Sequence, residues 1–365
     1  MPNSSAPSQP KQIVYLFGAG ATYAEVMYRG ARQVNTLMSN IGSLEGVSSR
    51  ILRQCGRTAL AFGLDENVDV EKLISLLTAS GVASHSKFAD DLRQYYFEDL
   101  RTSLIAAKIV AQPKLAMALL EMHNHASFRT HVESLSGILT TNHDGLLQVA
   151  SAKVLKSLNL GIPFESKEFT FSASEPLPPI LQLHGSLTWK FAVPLKVNRL
   201  GTDSKYSRDT MWIPPMIQKE TKSYPFNKLN ALAYEVLSKQ CDVLRVVGAS
   251  LTQNDWNVLS LLFNAQRHRE RTRKKGLSIE LIMPQRAGLA IQNNSSYLNR
   301  TLVIGSLSDG HFAEFQNWSE KNPPVEQDLG NPFFYWLKQK ISFHQRQNHF
   351  GETGIGPIMR EIMEK

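Results

Sequence analysis

Cysteine is nearly missing from this chain: there are two in 365 residues, Cys55 and Cys241, far apart and in no C-x-x-C pair. A zinc site built from four cysteines is thereby excluded, and a disulfide framework is disfavoured. The sequence also lacks any stretch near the roughly 20 apolar residues that a membrane span needs. Its first residues, Met1 to Gln12, are polar, rich in Ser and Pro and without the apolar core of a secretion signal. Residues 1–11 therefore read as a flexible tail. These absences together predict a protein of the reducing cytoplasm. No carboxylate cluster with metal-ligand spacing stands out, which disfavours a metal-dependent nuclease.

What is present is ordinary in bulk. Hydrophobic residues make up 42% and charged residues 20%, enough for one large core or two smaller ones. A net charge of +8 and a pI near 9.3 favour anionic partners such as dinucleotides, nucleic acid or an acidic protein. Much of the excess lies in one run, Arg267-His268-Arg269-Glu270-Arg271-Thr272-Arg273-Lys274-Lys275. Cations closing a helix complement its macrodipole and solvate that end. A contact with nucleic acid or a partner protein is the other reading of the same run.

Short apolar runs punctuate the chain. Ile13-Val14-Tyr15-Leu16-Phe17 stops at Gly18-Ala19-Gly20-Ala21-Thr22 and predicts strand, tight turn and helix. Further strands are predicted at Gly137–Leu139, Ile180–Leu183, Asp242–Val247, Ile279–Met283 and Thr301–Ile304. Continuous apolar runs separated by helical stretches are the signature of a parallel sheet covered on both faces. The fold class is therefore α/β, a Rossmann-like sheet with helices on both sides, over residues 12–310. From about 50 to 130 the pattern is helical: Val70, Leu73, Leu76 and Leu77 repeat at intervals of three and four, as do Leu115, Leu119 and Met122. This is an insertion whose stripes pack a core. Phe191 to Pro225 reads as a loop excursion over the site, and 311–365 as a C-terminal helical extension.

Four turns fall at the carboxyl ends of predicted strands, where open α/β sheets bind ligands. The first, Gly18-x-Gly20, would let backbone approach a phosphate, with a helix N-terminus supplying donors. Tyr23 stands where a dinucleotide fingerprint has its third glycine, and the acidic residue expected about 20 residues further on is absent, which disfavours a hydride-transfer dehydrogenase. The second, Thr140-Thr141-Asn142-His143-Asp144-Gly145-Leu146, carries an amide and a carboxylate two positions apart. Such residues also bond their own backbone and cap helices. The third is Leu183-His184-Gly185-Ser186, where a glycine beside the histidine predicts close backbone approach and an exposed imidazole. The fourth is Gly248-Ala249-Ser250-Leu251, with Asp255 beyond it as a helix cap.

In this order, Gly18-Ala19-Gly20-Ala21-Thr22, Asn142-x-Asp144-Gly145-Leu146, His184-Gly185 and Gly248-Ala249-Ser250 resemble the Sir2 (sirtuin) superfamily. Asp69-Val70-Glu71-Lys72-Leu73-Ile74 is similar to a segment of bacterial Sir2-like defence proteins. Two departures separate the chain from deacylating sirtuins: zinc-binding cysteines are lacking, and Ala21-Thr22-Tyr23-Ala24-Glu25-Val26 replaces the family's Gly-Ile-Pro-x-Phe-Arg segment. The resemblance is thus to the SIR2-like branch of NAD-hydrolysing anti-phage effectors, with no zinc expected. It implies NAD as substrate, and Asn142 and His184 as catalytic residues. Gly18, Ala19, Gly20, Ala21, Thr22, Asn142, Asp144, Gly248 and Ser250 would bind the dinucleotide, Asp144 taking the nicotinamide carboxamide. It further implies a homo-oligomer and a partner, such as a HerA-type ATPase or an Argonaute, through which nucleic acid is engaged. An NAD-dependent ADP-ribosyl transferase or deacylase shares every one of these residues. A non-catalytic nucleotide-binding scaffold for a DNA-handling ATPase is the third expectation.

Overall fold

A computed structural model describes residues 10–28, 50–61, 63, 70–124, 129, 133–172, 177–201, 204–216, 219–249, 251, 255–272 and 277–282. The expected tail up to residue 9, the strand at Thr301–Ile304, the extension at 311–365, Asp69, Ser250 and the last three cations of the basic run lie outside the described residues.

A five-stranded parallel sheet forms the centre. Its strands are β1 (Lys11–Phe17), β2 (Glu133–Thr140), β4 (Ile180–Gln182), β8 (Val243–Val247) and β9 (Ser278–Ile282), in the order β4-β2-β1-β8-β9. Strands added after β1 build outward on one side as far as β4, then on the other from β8. The reversal falls between the ends of β1 and β8, the place where doubly wound sheets open a ligand crevice.

Period-two alternation assigns the faces. Val14 pairs in register with Gly137, and a side chain at 137 would meet Val236 of the helix Phe226–Lys239, here α7. That face is covered by α7 and by α8 (Trp256–Arg271), which pack on each other. Tyr15 points the opposite way, to His123 of α5 (Lys114–Asn124), which packs with α6 (Leu146–Val154). Helices on both faces explain why β1 from Ile13 onward and β8 apart from Arg245 are apolar: Ile13, Val14, Tyr15, Leu16, Leu244 and Val246 are all fully buried.

Between β1 and β2 come α1 (Ala19–Tyr28), α2 (Arg50–Ala61), α3 (Val70–Ala79), α4 (Ala83–Ala106) and α5. The helices of the expected insertion divide between two cores. Leu119 and Met122 of α5 belong to the core of the central sheet, whereas α3 and α4 build a second core from Val70, Leu73, Ile74, Leu77, Leu92, Phe97 and Leu100. Leu76, expected on that stripe, is exposed, and Ile74 takes its place.

The segment expected as a loop excursion is a correction of substance. β5 (Gly185–Lys190) continues directly from His184 and pairs antiparallel with β6 (Leu195–Val197) and β7 (Thr210–Trp212). With β3 (Phe164–Glu165) they form a second, four-stranded sheet. Trp212 carries this sheet into the helical core, lying 6.2 Å from Tyr96 and 5.8 Å from Phe97, ring centre to ring centre. Among the described residues, no helix is long and apolar enough to cross a membrane.

Candidate active site

The turns after β1, β2, β4 and β8 meet at one edge of the central sheet, as parallel strands in register require. Two backbone bonds lock the turns of β1 and β8 at the reversal point, Gly18 N–H to Val247 O at 3.0 Å and Gly20 N–H to Gly248 O at 2.8 Å, and a third, Ala21 N–H to Gly18 O at 2.9 Å, closes the first turn on itself. A side chain on Gly20 would sit 2.8 Å from the Gly248 backbone, and one on Gly18 would collide with Ala249. Gly248 has φ +60° and lies against Gly20 and Ala21. The glycines expected to admit a phosphate are here used to seat one turn against the other. Ala19 and Ala21 open the helix α1 that leaves this junction.

Thr22, in the first turn of α1, links this junction to the next. Nδ2 of Asn142 donates to Gly18 O and to Thr22 Oγ1, both at 2.9 Å, and Thr22 donates in turn to Oδ2 of Asp144. The other carboxylate oxygen, Oδ1, accepts Leu146 N–H at 2.9 Å and so caps the start of α6. Both amide hydrogens of Asn142 are thereby consumed, and the group left to meet a ligand is its Oδ1, an acceptor. Asp144 is 5% exposed, and burial raises its carboxyl above the usual range, opposed by the Thr22 and Leu146 hydrogen bonds. The resemblance implies that Asp144 takes the nicotinamide carboxamide; in the structure its two carboxylate oxygens accept from the Thr22 hydroxyl and from Leu146 N–H.

His184 stands one strand over. Leu183 N–H bonds Thr140 O at 2.9 Å, and Nε of Gln182 reaches the Asn142 carbonyl at 3.4 Å, so the loops after β2 and β4 lie side by side. The expectation of an exposed imidazole is corrected: His184 is 2% exposed. Gly185 has φ +69°, and a side chain there would strike the Met211 and Trp212 backbone of β7. The glycine thus serves strand packing.

Around His184 the fold gathers residues to which the sequence had given no catalytic part. Nδ2 of Asn257, in the first turn of α8, meets Nε2 at 3.2 Å. The His143 ring lies 6.2 Å away, centre to centre, and its far side meets Trp212 edge-on at 5.2 Å. Lys219 pairs with Asp255 at 3.4 Å and with Glu71 of α3 at 3.8 Å. Burial lowers both imidazoles to about 3, helped by the Lys219 charge, and in His143 also by His184. Both rings are therefore neutral in the native chain near pH 7. No local pattern in the sequence singles out Asn257, two residues beyond Asp255 at the start of α8, or Lys219, because only the folded chain brings them here.

Among the described residues, no group of three or more His, Cys, Asp or Glu could hold a metal ion. The chain matches no protein-family model, and no curated protein matches it.

Proposed function

We propose that this chain hydrolyses the nicotinamide–ribose bond of NAD and serves as an NAD-depleting defence effector of the Sir2-like kind. The observation that carries the reading is the placement, on neighbouring loops after β2 and β4 at the carboxyl edge of a Rossmann-like sheet, of an amide acceptor on Asn142 and a neutral imidazole on His184.

Cleavage leaves positive, oxocarbenium-like charge on the ribose, and nicotinamide departs as a neutral base, so departure needs no general acid. The protein must hold the sugar, exclude bulk water and orient the nucleophile. Oδ1 of Asn142 suits a ribose hydroxyl or the attacking water, both donors. His184 suits the proton that water gives up: the O–H bond breaks toward the imidazole, the oxygen bonds to C1′, and the glycosidic electrons leave with nicotinamide. The proton then passes to solvent. Asp144 acts one step back, through Thr22, by fixing which end of the Asn142 amide faces the sugar.

The test is to co-purify the chain with the product of its genomic neighbour, a HerA-type ATPase or other defence protein, and follow NAD and its products by chromatography. Free ADP-ribose and nicotinamide support hydrolysis. ADP-ribosylated or deacylated protein instead would give the site to a transferase or deacylase. Salt-sensitive DNA binding with NAD intact under every activating condition would make the chain a scaffold.

A further inference from the structure

The carboxamide of Asn257 has one end engaged and the other idle. Nδ2 sits 3.2 Å from His184 Nε2, while Oδ1 is buried and accepts no hydrogen bond among the described residues. An amide nitrogen has hydrogens and no lone pair to offer, so Nε2 must be the acceptor. The ring proton then resides on Nδ1, where a hydrogen bond to the Thr141 backbone suits it. A protonated ring would set one N–H against another at this contact. A half-turn of the carboxamide removes the conflict: Oδ1 then faces Nε2–H and gains the donor it lacks. A buried carbonyl without a partner is costly, which leaves the rotated form at no disadvantage once the ring is charged.

We propose that Asn257 is a positioning residue for His184: its amide holds the ring neutral with Nε2 as the proton-accepting atom, then rotates to present Oδ1 when that atom has taken a proton. The substrate-derived origin of the proton rests on the NAD-hydrolase reading; the pairing of the two side chains does not. A hydroxyl or water arriving at Nε2 displaces the Asn257 amide hydrogen, gives its proton to the ring, and leaves Oδ1 to hold the new N–H. The other charged or titratable groups facing this ring are His143 from the loop after β2 and Lys219, the latter paired with Asp255 at the start of α8 and with Glu71 of α3. None of them bonds Nε2 among the described residues, so the contact with Asn257 is the one to alter.

The experiment uses the full chain with 15N-labelled histidine, assigning the His184 ring signals by their loss in His184→Gln. In the native wild type the ring remains neutral, with its proton on Nδ1, down to the pH at which the chain unfolds. Asn257→Asp, which can only accept, raises its pKa by roughly 1–3 units, so that imidazolium appears in the native chain. Asn257→Ala, which removes the donor, raises it by less. If turnover of NAD is present, the acid limb of its pH profile moves up in the same order. His184 signals that titrate in Asn257→Asp as in the wild type overturn the proposal. Should that variant not fold, an unchanged or lowered pKa in Asn257→Ala overturns it equally. Absence of NAD cleavage by the wild type, with the ring behaving as described, would remove the hydrolase reading and leave this pairing standing.

Discussion

Thr22 and Asp144 lie 122 residues apart, yet the Thr22 hydroxyl donates to a carboxylate oxygen that is all but sealed from solvent. The same hydroxyl accepts from Asn142, so the three groups form a directed chain from amide to hydroxyl to carboxylate. Burial holds the Asp144 carboxyl above its usual range. Its proton is thus favoured in the native state, and the stabilisation is complete below about pH 4, where the unfolded carboxyl is protonated as well. It fades as pH rises through the native value. Asp144→Asn lacks this dependence, so wild type should lose ground to it in urea midpoint as pH is raised from about 4 to 7. A difference that stays constant with pH would refute the assignment. Thr22→Val, which deprives the carboxylate of its donor, should cost about 1–3 kcal/mol near neutral pH.

Three histidines answer to pH with the opposite sign. His123, His143 and His184 are each lowered to about 3 by burial. In the unfolded chain they titrate near 6.5. Their stabilisation is complete above that value and is lost as pH falls toward 3. Unfolding near pH 5 should take up close to three protons from these groups, a slope of at most roughly 4 kcal/mol per pH unit. Replacing His123 by Gln should remove about a third of their share, as read from denaturant midpoints across that range. An unaltered slope would show that this ring is charged in the native chain.

How much of this was legible beforehand differs by element. β1, β8 and β9 announce themselves because strands buried on both faces are mostly apolar, the charged exceptions Arg245 and Glu280 being paired with each other. The start of β2 hides, since Glu133, Ser134 and Ser136 look like loop; Glu133 is buried only because Arg245 waits for it. The second sheet hides for another reason. Leu195–Val197 and Thr210–Trp212 are too short to show any period, and Ser186 and Thr188 of β5 are buried polar residues that bond each other at 2.9 Å. Asn142, Asp144 and His184 could be picked out by type and by position at strand ends. Their working partners could not, because Lys219 and Asn257 arrive from elements no local pattern links to them. His143 lies inside the Asn142-x-Asp144 motif with no role legible from its type, for it packs against Trp212 of the second sheet.

A buried charge cluster fixes the sheet on its α5 face. Arg245 donates twice to Glu133, both at 2.6 Å, once to Glu280 at 2.8 Å and once to the Tyr15 hydroxyl at 3.0 Å. The Tyr15 hydroxyl continues to His123 at 3.0 Å, tying four strands to α5. Arg245→Met removes the cation and strands two glutamates, which should cost about 3–5 kcal/mol. Arg245→Lys should recover little of it, since an ammonium cannot serve this forked geometry. The measurement is the denaturant midpoint of each variant. Near-wild-type stability of Arg245→Met would show that the glutamates find water or protons at small cost.

The hydrolase reading stands or falls on the imidazole of His184. Because the ring is buried, His184→Ala opens a cavity beside His143 and Asn257, so lost stability would confound lost activity. His184→Gln keeps most of the volume and a donor for the Thr141 carbonyl, while removing a base able to take a proton. On the hydrolase reading it should lower NAD turnover by roughly two to four decades. Its thermal midpoint should remain close to the wild type. Asn142→Asp should behave differently: it places negative charge next to the Thr22–Asp144 chain and upsets binding of the sugar, raising KM as well as lowering kcat. Nicotinamide release by folded His184→Gln at the wild-type rate would strip this imidazole of its part in the chemistry, and with it the reason for reading the junction of these loops as an active site.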